Sequence, residues 1–116
     1  MGGISTLQGY SIEIERRRKS YYITIRRKNK KIVYSEAELP NSGKARLYRL
    51  LIQKAREKNI AYAKVVAKTR LMHDLLLFML SQNGIWRKEY DVILPIIEKN
   101  IDELELVEKD VELVRT

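Results

Sequence analysis

"GYSIEIERRRKSYYITIRRKNKKIVYS" (residues 9–35) alternates in three runs separated by short basic links. In the first run Tyr10, Ile12 and Ile14 face one way, and Ser11, Glu13 and Glu15 the other. In the second, Tyr21, Ile23 and Ile25 oppose Tyr22, Thr24 and Arg26. The third, "KKIVYSEAEL", is rich in β-branched residues. Period-two patterning of β-branched and aromatic residues predicts strands. The links "RRRK" and "KNK" are short enough for hairpins, with Asn29 suited to a left-handed turn position. The stretch therefore predicts a three-stranded antiparallel meander with Ile12, Ile14, Ile23 and Ile25 towards a core and a basic residue cluster at each hairpin tip.

Beyond it the pattern changes. Pro40 ends the third strand, and Asn41 or Ser42 is placed to cap a helix. From Lys44 to Lys58, Tyr48, Leu51, Ile52 and Ala55 recur at helical spacing, while Arg46, Arg49, Gln53 and Arg56 form a polar, mostly basic stripe. Residues 61–82 read either as a strand followed by a helix or as one long helix. Val65-Val66 and the break at Asn59 favour the first, with Asn83-Gly84 as a helix stop. "IWRKEYDVIL" reads as a strand or an irregular link. Pro95 suits a helix N1 position, and Ile97, Ile101, Leu104, Val111 and Val114 suggest an amphipathic C-terminal helix. The alternation in "LELVEKDVELV" equally permits a hairpin. The expected fold is α+β: βββα-βα-α, with one layer of helices on the sheet. One domain spans residues 1–116, with a flexible start at 1–8 and an acidic amphipathic segment at 95–116.

Composition narrows the chemistry. The 116 residues are 45% hydrophobic and 33% charged, which suits a folded chain of domain size. The absence of cysteine removes disulfides, thiolate metal sites and a Cys nucleophile, and fits a reducing, cytoplasmic setting. A Ser-His-acid set would rest wholly on His73, which lies among leucines and reads as structural. No cofactor and no metal site are expected. Glu13 with Glu15, and Glu36 with Glu38, share strand faces, but such pairs usually meet neighbouring Arg and Lys. The longest apolar run, Leu75–Leu80, is too short to span a bilayer. "MGGIST" fits a loose myristoylation pattern, although a small-residue start explains it equally. Abundant Lys, Arg, Glu and Ile also suit a hyperthermophile protein.

The net charge of +8 is unevenly spread. Residues 16–70 hold 18 bases and 3 acids, residues 71–116 hold 5 bases and 10 acids, and residues 1–15 hold 2 acids alone. Nine of the sixteen residues from Arg16 to Lys31 are Arg or Lys. Such self-repulsion costs stability unless a polyanion offsets it. The expected function is therefore nucleic-acid binding (DNA or RNA), with no catalytic residue assigned. The contacts are assigned to Arg16, Arg17, Arg18, Lys19, Tyr22, Arg26, Arg27, Lys28, Lys30, Lys31, Lys44 and Arg46. Lys44 and Arg46 join the set because a glycine-led helix start can receive phosphate, and an anion there would offset cations at a helix N-terminus. The acidic C-terminal segment is a candidate surface for a protein partner.

Two resemblances accompany these readings. Residues 9–58, a basic three-stranded sheet followed by a helix, resemble the arm-type DNA-binding domains of some integrases. That likeness implies a sheet entering the major groove, with Tyr22, Thr24 and Arg26 towards bases. Residues 40–85, with "GKA" before a helix, then "AREKN" and "SQNGI", resemble the core of GNAT-type acetyltransferases. In that family a Gln/Arg-x-x-Gly-x-Gly/Ala loop cradles the acyl-CoA pyrophosphate. Gly43 and Ala45 match its last two positions, but Pro40 replaces the Gln or Arg, and Leu80 stands where a Tyr often serves as general acid. The alternatives to a nucleic-acid module are thus an acyl-CoA-binding GNAT-like fold, or a structural subunit with an acidic partner.

Overall fold

The computed structural model describes residues 9–82 and 88–109. Three strands, β1 (Tyr10–Arg17), β2 (Ser20–Arg27) and β3 (Lys30–Ser35), form the expected meander. Helix α1 (Lys44–Glu57) follows, then β4 (Tyr62–Ala67), α2 (Arg70–Ser81), α3 (Lys88–Lys99) and β5 (Leu104–Glu108). The sheet is antiparallel, in the order β3-β2-β1-β4-β5, so β1 lies at its centre.

Register follows the hydrophobic pattern. Ile12 pairs with Ile25 and Ile14 with Ile23, and β3 adds Ile32 and Tyr34 to the same face. On the other side, β4 and β5 contribute Ala63, Val65, Ala67, Leu104 and Leu106. This face packs under the helices. Leu47, Leu51 and Ile52 of α1, Met72, Leu76 and Met79 of α2, and Ile97 of α3 are fully buried against it. A slip of one residue in β1 would move Glu13 and Glu15 into this core, so the register is strongly fixed. Among the described residues, no helix packs on the opposite face of the sheet.

Residues 61–70 are strand and then helix cap, the favoured of the two readings, with Thr69 Oγ1 accepting from the Met72 amide. Several other local expectations need correction. The third strand stops at Ser35 instead of running to Pro40. Glu36–Glu38 close a 3-10 turn, in which Glu38 accepts a hydrogen bond from the Ser35 amide. Neither Asn41 nor Ser42 caps α1. Gly43 occupies the cap at φ 65°, a conformation that glycine alone adopts readily. Pro95 is not the start of a helix. It lies inside α3, which begins at Lys88, where a strand or an irregular link was expected.

The acidic C-terminal helix is not formed by the described residues. After a short 3-10 turn at Ile101–Glu103, β5 pairs with β4 and sends Leu104 and Leu106 inward opposite Ala67 and Val65. Period-two alternation thus overrides the sparse helical stripe. The sheet therefore has two strands beyond the meander, where one was expected. The start at 1–8, the Asn83-Gly84 stop, and Val111 and Val114 lie outside the described residues.

Candidate nucleic-acid interface

Both hairpins turn on two residues. Arg17 pairs with Ser20 across Arg18-Lys19, and Arg27 pairs with Lys30 across Lys28-Asn29. The left-handed position is taken by Arg18 (φ 60°) and Lys28 (φ 53°), not by Asn29. Glycine is the favoured residue where a tight hairpin needs positive φ, because an L side chain there costs about 1–2 kcal/mol. Gly9, at φ 89°, backs the second turn. Its carbonyl accepts from the Lys28 amide at 2.7 Å, and a Cβ at Gly9 would lie 3.3 Å from Lys28 Cγ.

The two turns lie at opposite ends of β2. Eight residues at about 3.3 Å each separate them by roughly 23 Å. The basic residues therefore form two clusters, one at each end of β1–β3, with Arg16, Arg27 and Lys30 in register with the helix-packed side and Arg17, Arg26 and Lys31 with the other. Arg16, Arg17, Arg18 and Lys19 stand at one end. Arg26, Arg27, Lys28, Lys30 and Lys31 stand at the other.

The twelve predicted residues divide by partner. Arg17 bonds Glu15 at 3.2 Å, and its guanidinium carbon lies 4.7 Å from the centre of the Tyr22 ring. Arg26 bonds Glu13 at 3.3 Å, and Arg16 donates to Asn59 Oδ1 at 2.6 Å. By contrast Arg18, Lys19, Lys28, Lys30 and Lys31 are exposed and form no ion pair among the described residues. All five sit in the turns or at the first residues of β3. Arg27 and Tyr10 line a cavity of about 300 Å3 with Lys28, Asn29 and Lys30.

Lys44 and Arg46 lie apart from these clusters. Lys44 is buried, its Nζ donating to the carbonyls of Met79 (3.1 Å) and Gln82 (2.8 Å) at the end of α2. The negative end of the α2 dipole thus supplies the anion that its position at the start of α1 calls for. Arg46 pairs with Glu98 of α3 at 2.6 Å, and Arg49 donates to the carbonyls of Leu39 and Pro40. Ala45 is fully buried, and Tyr90, Asp91, Leu94 and Pro95 of α3 crowd the small cavity at Ser42 and Gly43. This helix start offers an acyl-CoA pyrophosphate little open backbone.

The middle of the helix-free face is a network centred on Glu13. Although none of the described helices covers it, Glu13 is only 9% exposed and Tyr62 6%. Arg26 bonds one carboxylate oxygen and Lys109 Nζ lies 4.0 Å from the other. The Tyr62 hydroxyl is pushed up to about 12, chiefly by burial and then by its hydrogen bond with Glu13. Lys109 also lies 5.5 Å from the centre of the Tyr62 ring. Glu36 pairs with Arg56. Glu13, Glu15 and Glu36 thus meet neighbouring cations, whereas Glu38 accepts from the Ser35 amide, and among the described residues no group of three or more His, Asp or Glu could hold a metal. His73 is buried beside Asp74, its Nδ1 3.0 Å from Oδ1. Among the described residues no helix is long and apolar enough to cross a membrane.

Sequence reasoning did not assign Ser20, Ser35, Ala37 or Arg49 to the site. With Lys19 and Tyr22 they line a cavity of about 390 Å3 at the end of β2. The one available signal was the hairpin register, which sets Arg17 diagonally beside Tyr22. No protein-family model matches the chain, and neither a curated protein nor a solved structure matches it.

Proposed function

We propose that the chain binds nucleic acid through the helix-free face of β1–β3, with the two basic turns on phosphates. One observation carries this: two turn positions whose geometry favours glycine hold Arg18 and Lys28 instead, among five cations that form no ion pair among the described residues. Backbone preference and self-repulsion both act against that choice. A polyanion that releases counterions on binding would offset both. Tyr22 and Arg26, on the face between the turns, are the residues available to bases.

The test is a titration of labelled single-stranded DNA, single-stranded RNA and duplex DNA at two salt concentrations. Binding should be saturable and should weaken steeply with salt. The Arg18→Glu/Lys28→Glu protein should bind far more weakly while keeping its fold. Equal competition by polyglutamate would point instead to an acidic protein partner. Saturable thermal stabilisation by acetyl-CoA, with no nucleic-acid binding, would favour the acetyltransferase-like alternative.

A further inference from the structure

We infer that the cavity at the end of β2 receives an unpaired base, so that the ligand is single-stranded; this rests on the nucleic-acid reading above. Tyr22 is half-buried and forms one wall. On its β1 side the Arg17 guanidinium covers the ring, 4.7 Å from its centre. On its β3 side the paired residue is Ser35, and Ser20 and Ala37 are further small residues of a lining that also holds Lys19, Glu36 and Arg49. An aromatic ring flanked by small residues leaves a slot beside its face. The volume of about 390 Å3 lies within the range of small-ligand sites.

The charges around the slot suit a nucleotide. Arg49 is anchored at the rim by the carbonyls of Leu39 (2.6 Å) and Pro40 (3.3 Å), so its position is fixed before any ligand arrives. Lys19, in the turn, forms no ion pair among the described residues. The cavity's one acid, Glu36, is paired with Arg56, which in turn lies 5.0 Å from the centre of the Tyr21 ring. Its charge is thereby offset. A duplex offers base edges in its grooves, and its base faces are already stacked. A slot walled by an aromatic face takes a base only when that base is unstacked. The sugar-phosphate leaving it would pass Lys19 and Arg18.

The experiment compares a labelled oligothymidylate of about twelve nucleotides, within the usual single-strand site size, with a duplex of the same length. Three proteins are used: wild type, Tyr22→Leu and Ser20→Trp. Ser20 is exposed, so a tryptophan there fills the slot without disturbing the core. The wild type should prefer the single strand by about tenfold or more. Both variants should lose that preference and melt near the wild-type temperature. Equal wild-type affinity for the two probes, or retention of the preference in either variant, overturns the inference while leaving nucleic-acid binding in place. Binding of neither probe by the wild type overturns both.

Discussion

Replacing Arg18 and Lys28 together by glycine separates charge from structure at the hairpin turns. Each occupies a left-handed φ, which costs an L residue about 1–2 kcal/mol. Glycine's larger loss of backbone freedom, about 0.5–1 kcal/mol, offsets part of the relief. The double variant should therefore gain about 1 kcal/mol, which raises Tm by roughly 4 °C in a domain of this size. Binding should respond in the opposite direction. If Arg18, Lys28 and the exposed Lys19, Lys30 and Lys31 each neutralise a phosphate, single-strand affinity falls with salt at a log–log slope of about −3.5. Between about 50 and 200 mM salt that amounts to roughly a 100-fold loss. Removing two of the five reduces the slope to about −2, and the loss to about 20-fold. Fluorescence anisotropy at several salt concentrations gives the slope, and a thermal melt gives the stability. An unchanged slope would show that these cations do not meet phosphates. A Tm lower by several degrees would show that Arg and Lys occupy the turns for structural reasons.

Three further outcomes test the residues around the interface. Lys44→Ala should cost about 1–3 kcal/mol in a denaturant melt, because it removes the buried Nζ donor shared by the Met79 and Gln82 carbonyls, yet leave oligonucleotide affinity unchanged. Tyr62 has a folded pKa raised to about 12 from 10, so its neutral form stabilises the fold. That contribution is complete below pH 10 and lost as pH rises through 12. Alkaline melts of Tyr62→Phe should accordingly show a shallower decline over that window than the wild type. Leu104→Asp places a charge at a buried position of β5 and should destabilise by about 3 kcal/mol or more, whereas Glu105→Gln, on the exposed side, should stay within about 0.5 kcal/mol.

What was legible in the sequence was whatever local periodicity controls. Ile12, Ile14, Ile23 and Ile25 point to the core as their alternation requires, and the apolar face of α1 is the one that its spacing predicts. Period-two alternation in "LELVE" also outweighs a helical stripe made of few residues. What was not legible depended on contacts distant in sequence. Nothing in "PNSGKARL" shows that Lys44 reaches carbonyls 35 and 38 residues away, so a buried cap resembled a free phosphate ligand. Hairpin tips close in sequence proved to be a strand length apart, because β2 runs the full height of the sheet. The cavity beside Tyr22 joins the β1–β2 turn, the end of β3 and a side chain from α1. Register and helix docking create it, and no short motif encodes it.

The most direct test of the central claim is amide chemical-shift mapping during titration with a short single-stranded oligonucleotide. Perturbations should concentrate in residues 17–22 at one end of β2 and 26–33 at the other, with α2 and α3 unaffected. Shifts centred instead on the start of α1 and on α3, or no saturable shifts at low salt, would contradict it.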